Sequence, residues 1–110
     1  MLEHIYGSLN QPSSNSSSGS MLEFDQREFV DGVDPALIGL ADTGYVYVPK
    51  ACKTETCRVH VAFHGCKQYA GKVGNAVYKH AGYNKWAGTN KLIVLYPQTV
   101  DNLVLNPNGC

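Results

Sequence analysis

No sign of charge dominates this sequence: nine basic and nine acidic residues cancel, and charged residues are 16% of the 110. Without a basic footprint, neither nucleic acid nor an anionic membrane surface is an expected partner. No apolar run approaches the roughly 20 residues a membrane-spanning helix needs. The opening residues, Met1-Leu2-Glu3-His4-Ile5-Tyr6, lack a basic stretch followed by an apolar one, so they do not read as a signal peptide. His4 and His80 have no companions in the sequence that suggest a metal, and no cofactor motif is present. The expectation is therefore no metal and no cofactor. A chain of this length makes one small domain or part of a larger one, with a modest core.

Cysteine, by contrast, is present four times, as Cys52, Cys57, Cys66 and Cys110. Four half-cystines allow three pairings. Cys52 and Cys57 flank the polar link Lys53-Thr54-Glu55-Thr56 between two strand-like runs, which suits a local bridge across a hairpin and leaves Cys66 for Cys110. The rival is a zinc site, but the C-x4-C spacing and the absence of a matching histidine pair speak against it. Disulfides imply an oxidising compartment.

Along the chain, residues 1–9 accommodate a helical turn or two. Asn10–Ser20 is serine-rich and reads as a flexible surface loop, since such a composition buries little apolar surface. Asn15-Ser16-Ser17 matches a glycosylation sequon, which matters only in a eukaryotic secretory pathway. Leu22–Asp25 alternates as a short strand does, and Asp31-Gly32 and Asp34-Pro35 are turn signals. Gly44-Tyr45-Val46-Tyr47-Val48-Pro49 is aromatic and β-branched, hence a strand. Val59–Phe63 reads as a buried strand that stops at His64-Gly65-Cys66, where Gly65 lets the backbone turn. Lys67–Gly74 reads as loop. Asn75 then caps one helix from Ala76 towards Gly88, with Val77, Tyr78, Ala81 and Trp86 on its apolar side and Gly82 a weak residue in its middle. Leu92–Tyr96 is a continuous apolar strand of the kind buried on both faces. The fold class is α/β: a βαβ unit over residues 59–96 plus a preceding hairpin. Such a sheet leaves one face and at least one edge bare.

The end of the Val59–Phe63 strand is where reactive groups gather in open α/β sheets. Val61-Ala62-Phe63-His64-Gly65-Cys66-Lys67-Gln68 resembles the oxyanion loop of the poly(3-hydroxybutyrate) depolymerase esterases, which have an α/β-hydrolase fold. Ala81–Ala87, Leu92-Ile93-Val94-Leu95-Tyr96-Pro97-Gln98 and Asn106-Pro107-Asn108-Gly109-Cys110 resemble the pieces that follow. Leu22–Gln26 and Ala41–Pro49 resemble secreted members whose sequence is circularly permuted. The resemblance implies a serine esterase acting on poly(3-hydroxybutyrate) or a related polyester, with a Ser-His-Asp triad. One oxyanion donor would be the backbone N–H of Cys66, its loop held by a bridge to Cys110. No Gly-x-Ser-x-Gly occurs in the 110 residues, so the triad is expected outside this chain, which reads as an internal fragment. Residues 1–20 form an N-terminal segment and serine-rich loop; 21–110 form a partial hydrolase domain, completed by the remainder of that domain as partner. Secretion is expected, without a signal peptide here.

Other readings compete. His64 beside Cys66 raises a thiol hydrolase, but sequence adjacency is not the geometry of a nucleophile–base pair, and His64 is better read as a structural imidazole bonded to backbone. Tyr45, Tyr47 and Tyr83 could form an aromatic platform for a polymer; packing explains them more simply, as it does Trp86. Lys67 and Gln68 read as exposed loop residues. The alternative function is a non-catalytic, disulfide-bonded binding or interaction module derived from the same fold.

Overall fold

The computed structural model describes residues 1–14 and 18–110; the sequon at 15–17 lies outside them. Four strands form one mixed sheet in the order β1-β2-β4-β3. Strands β1 (Gly19–Asp25) and β2 (Thr43–Pro49) pair antiparallel, and β2 pairs antiparallel with β4 (Leu92–Tyr96). Strand β3 (Arg58–Val61) lies parallel to β4 on the far edge. Helices α1 (Leu2–Tyr6), α2 (Ala70–Val73), α3 (Ala76–His80) and α4 (Tyr83–Asn90), with 3-10 turns at Gln26–Phe29, Pro35–Ile38 and Lys50–Lys53, complete the described elements. The βαβ unit is present, and the antiparallel pair preceding it is β1 with β2. The hairpin expected across Cys52 and Cys57 is not: β4, more than thirty residues later, inserts between β2 and β3. A local sequence pattern carries no information on that insertion.

Period-2 alternation sends Leu92, Val94 and Tyr96 of β4 to one face, where they are buried with Tyr47 against Ala87 of α4. Ile93 and Leu95 point to the other face and are only half-buried. Strand β3, expected to be buried, is an edge: His60 turns inward to Tyr6, while Val59 and Val61 are exposed. The run expected as one helix from Ala76 to Gly88 is two, because Gly82 adopts φ +91°, a left-handed conformation that ends α3 and starts α4. Asn75 supplies no side-chain cap, Gly88 lies inside α4, and the left-handed C-cap is Lys91. Ala70–Val73, expected as loop, makes a short helical turn.

The described part of the serine-rich segment is strapped to α4 rather than loose. Asn10 exchanges hydrogen bonds with Asn90, Ser13 N–H donates to Lys85 O at 2.8 Å, and Ser18 Oγ meets the Tyr47 hydroxyl at 2.7 Å. Gly19 and Ser20, expected in that loop, open β1.

Candidate functional site: the turn at Cys66

The site is built where β3 ends and the chain reverses. Residues 65–68 form a turn closed by Gln68 N–H donating to Gly65 O at 3.1 Å. Its left-handed residue is Lys67 at φ 60°, not Gly65. The space beside Gly65 is taken by a side chain. A Cβ there would lie 2.8 Å from Gln68 Oε1, which accepts from Gly65 N–H at 2.9 Å.

His64 anchors the turn from the strand side. Thr99 N–H has only a proton to give, so His64 Nε2, at 3.2 Å, must be the acceptor. The ring proton therefore sits on Nδ1, which donates to Gly65 O at 2.7 Å. Thr99 Oγ1 turns its own proton to Gly109 O at 2.9 Å. The imidazole is thus engaged by backbone at both nitrogens, as expected of a structural histidine. Cys66 sulfur is bonded to Cys110, which leaves no thiolate for a Cys–His nucleophile.

The opposite wall is the 106–110 segment. Lys67 N–H donates to Asn108 O at 2.8 Å, beside the Cys66–Cys110 disulfide. Asn106 ties that segment internally, accepting from Cys110 N–H and donating to Val100 O. Tyr69 lies against Gly109, and hydrogen bonding to Asp101, helped by burial, raises its phenol above the ordinary range. Behind the turn, two buried glutamines stitch the strand ends. Gln26 Nε2 donates to Ala41 O and Gln98 O, and Gln98 Oε1 accepts the Ala70 N–H at the start of α2. Sequence reasoning missed these roles of Gln26, Gln68, Gln98, Thr99 and Asn106; each depends on partners distant in the chain or on a backbone shape that no motif announces.

Among the turn's four backbone donors, Gly65, Lys67 and Gln68 N–H have acceptors. Cys66 N–H has none among the described residues, and Cys66 is exposed. The turn therefore presents one free N–H, held from both sides.

All four cysteines are bridged, Cys52 to Cys57 and Cys66 to Cys110, so the zinc alternative falls. The tyrosines are packing residues: Tyr45 stacks on Tyr78 with centroids 3.9 Å apart, Tyr47 is buried, and Tyr83 meets His60 and Tyr96. Trp86 is half-buried. Two surface hollows are lined by the N-terminal residues with α4, and by Ser13, Ser14 and Ser18 with Lys79, His80 and Lys85. Neither includes a residue of the Cys66 turn.

No family model matches this chain. Two curated proteins do: the poly(3-hydroxybutyrate) depolymerase of Delftia acidovorans, 45% identical over 103 residues, and the polyhydroxybutyrate depolymerase of Talaromyces funiculosus, 40% identical over 121. Its relatives are polyhydroxybutyrate depolymerases. The alignments cover 90% and 99% of this chain but 20% and 34% of those relatives. Among solved structures, the PHB depolymerase of Penicillium funiculosum superimposes with a TM-score of 0.85 at 39% identity, covering 99% of this chain and 36% of the other. A serine-to-alanine variant of a PHB depolymerase, complexed with an R3HB trimer, matches equally well. The mixed sheet and its helices are thus part of a PHB depolymerase fold, spanning about a third of that structure or less of the curated relatives' length.

Proposed function

We propose that this chain is the oxyanion-loop portion of an extracellular serine esterase that hydrolyses poly(3-hydroxybutyrate) or a related polyester. The observation that carries the reading is the single unengaged N–H of the 65–68 turn, on Cys66. The nucleophile is a serine outside these 110 residues, in which no Gly-x-Ser-x-Gly occurs. Its Oγ attacks the ester carbonyl carbon while a histidine, oriented by an aspartate, takes the proton. The carbonyl oxygen becomes an oxyanion, and Cys66 N–H, with the N–H after the serine, donates to it. Collapse expels the alcohol end of the polymer, and water releases the acyl group by the same steps. One such preorganised donor is worth about 3–4 kcal/mol in the transition state. Cysteine serves at 66 through its backbone, its sulfur fixing the turn to Cys110.

The rest of the hydrolase domain is the structural partner. It would cover the outer sheet face, where Leu22, Val59 and Val61 are exposed. Asn10, Ser13 and Ser18 tie the N-terminal segment to α4 and β2. The two disulfides support an extracellular setting.

The test is a hybrid: the Talaromyces relative with its matched segment replaced by this chain. The isolated chain should leave p-nitrophenyl butyrate at background, and the hybrid should hydrolyse it. Two bridge-free hybrids then isolate the N–H. Cys66→Pro/Cys110→Ala, which lacks the donor, should fall about 100- to 1,000-fold in kcat below Cys66→Ala/Cys110→Ala, which keeps it. Equal rates would contradict the reading. A folded hybrid with no hydrolysis at all would favour a non-catalytic binding module.

A further inference from the structure

We infer that Gln68 is a positioning residue for the oxyanion donor, and that Gly65 is glycine in order to admit it. The inference rests on the reading of Cys66 as that donor.

A four-residue turn carries several N–H groups, and any that point outward compete for the same oxyanion position. Here the side chain of Gln68 removes the neighbouring one. Its Oε1 accepts from Gly65 N–H at 2.9 Å while its own backbone N–H closes the turn onto Gly65 O at 3.1 Å. One residue therefore holds both polar groups of Gly65. Lys67 N–H is turned away to Asn108 O. Only Cys66 N–H remains, between two residues whose peptides are fixed. The turn needs this help because Lys67 sits at φ 60°, a conformation that costs a non-glycine residue about 1 kcal/mol or more and persists only when its surroundings hold it.

The same contact also bears on the residue type at 65. Gly65 is not in the left-handed region, so backbone conformation does not demand glycine there. What a Cβ at 65 would meet is Gln68 alone: Oε1 at 2.8 Å, Cδ at 3.3 Å and Nε2 at 3.9 Å. The residue identities at 65 and 68 are thus coupled by contact.

That coupling gives a test that a general loss of stability does not imitate. In the hybrid depolymerase, Gln68→Ala should lower kcat for p-nitrophenyl butyrate about tenfold with KM unchanged, because the ester still binds and only the donor is displaced. Gly65→Ala should cause a similar loss by expelling the Gln68 side chain. The double variant should be no worse than either single one, since truncation at 68 removes every atom that the Cβ added at 65 would strike. Additive losses, a proportional rise in KM, or an unchanged kcat in Gln68→Ala would overturn the assignment. The Cys66→Pro/Cys110→Ala comparison separates the two levels. If it shows the large loss while Gln68→Ala is silent, only the role of Gln68 falls; if it is silent, the oxyanion reading itself falls.

Discussion

The two faces of the sheet differ in what they have been given to touch. On the helix side, Leu92, Val94, Tyr96 and Tyr47 are buried under α4, and Tyr96 donates its hydroxyl to Asn84 Oδ1 at 2.6 Å. On the other side, the registers Leu22↔Val46, Val46↔Leu95 and Val61↔Leu95 draw an apolar row across all four strands. Leu22 and Val61 at its ends are 51% and 42% exposed. The same alternating strands produce both faces. One is a finished core; the other is apolar without being buried.

Several substitutions would sharpen or break that contrast. The largest effect is expected for Leu92→Ala, which empties a fully buried site on the finished face and should cost about 3 kcal/mol by urea unfolding in dilute solution. Tyr96→Phe should cost about 1–2 kcal/mol, because Asn84 Oδ1 loses its donor in a buried setting. Tyr96 also carries a pH signature. Burial raises its phenol well above the ordinary value, so the folded state holds the proton more tightly than the unfolded chain. Stability from this source is complete below about pH 10 and is lost as pH rises through the folded value. An alkaline unfolding series should show that loss, and Tyr96→Phe should flatten it. The bare face should show itself as association: the isolated chain should sediment as oligomers, reduced by Val59→Lys. An isolated chain that sediments only as a monomer would contradict the comparison. Smallest of all, Val61→Thr on that face should change the unfolding free energy of the isolated chain by no more than about 0.5 kcal/mol.

Much of this is legible in the sequence, and the failures have physical causes. Strands β2 and β4 announce themselves through aromatic and β-branched runs, and the turn at His64-Gly65-Cys66 through its abrupt stop and its family resemblance. The cysteine pairing follows from Cys52 and Cys57 being close in sequence. The errors arise where a distant partner or a local backbone shape decides the outcome. Val59 and Val61 have the composition of buried strand residues, but they lie exposed on an edge strand. The insertion of β4 beside β2 is set by long-range pairing. Gly82 reads as a weak helix residue, whereas its left-handed φ splits the helix. At the site, the histidine's structural role is readable, but that of Gln68 is not. Its function consists of one side-chain contact with a glycine three residues earlier, and an exposed glutamine in a loop gives no sign of it.

The central claim concerns one amide proton, and it is measured most directly by NMR on the 15N-labelled hybrid before and after inhibition with butylboronic acid. The boronate oxygen of the serine adduct stands where the oxyanion would. The Cys66 amide should move downfield on adduct formation and exchange with solvent more slowly, while the Gly65 amide, already bonded to Gln68, stays where it was. An adduct that forms at the serine and leaves the Cys66 amide unmoved would contradict the account.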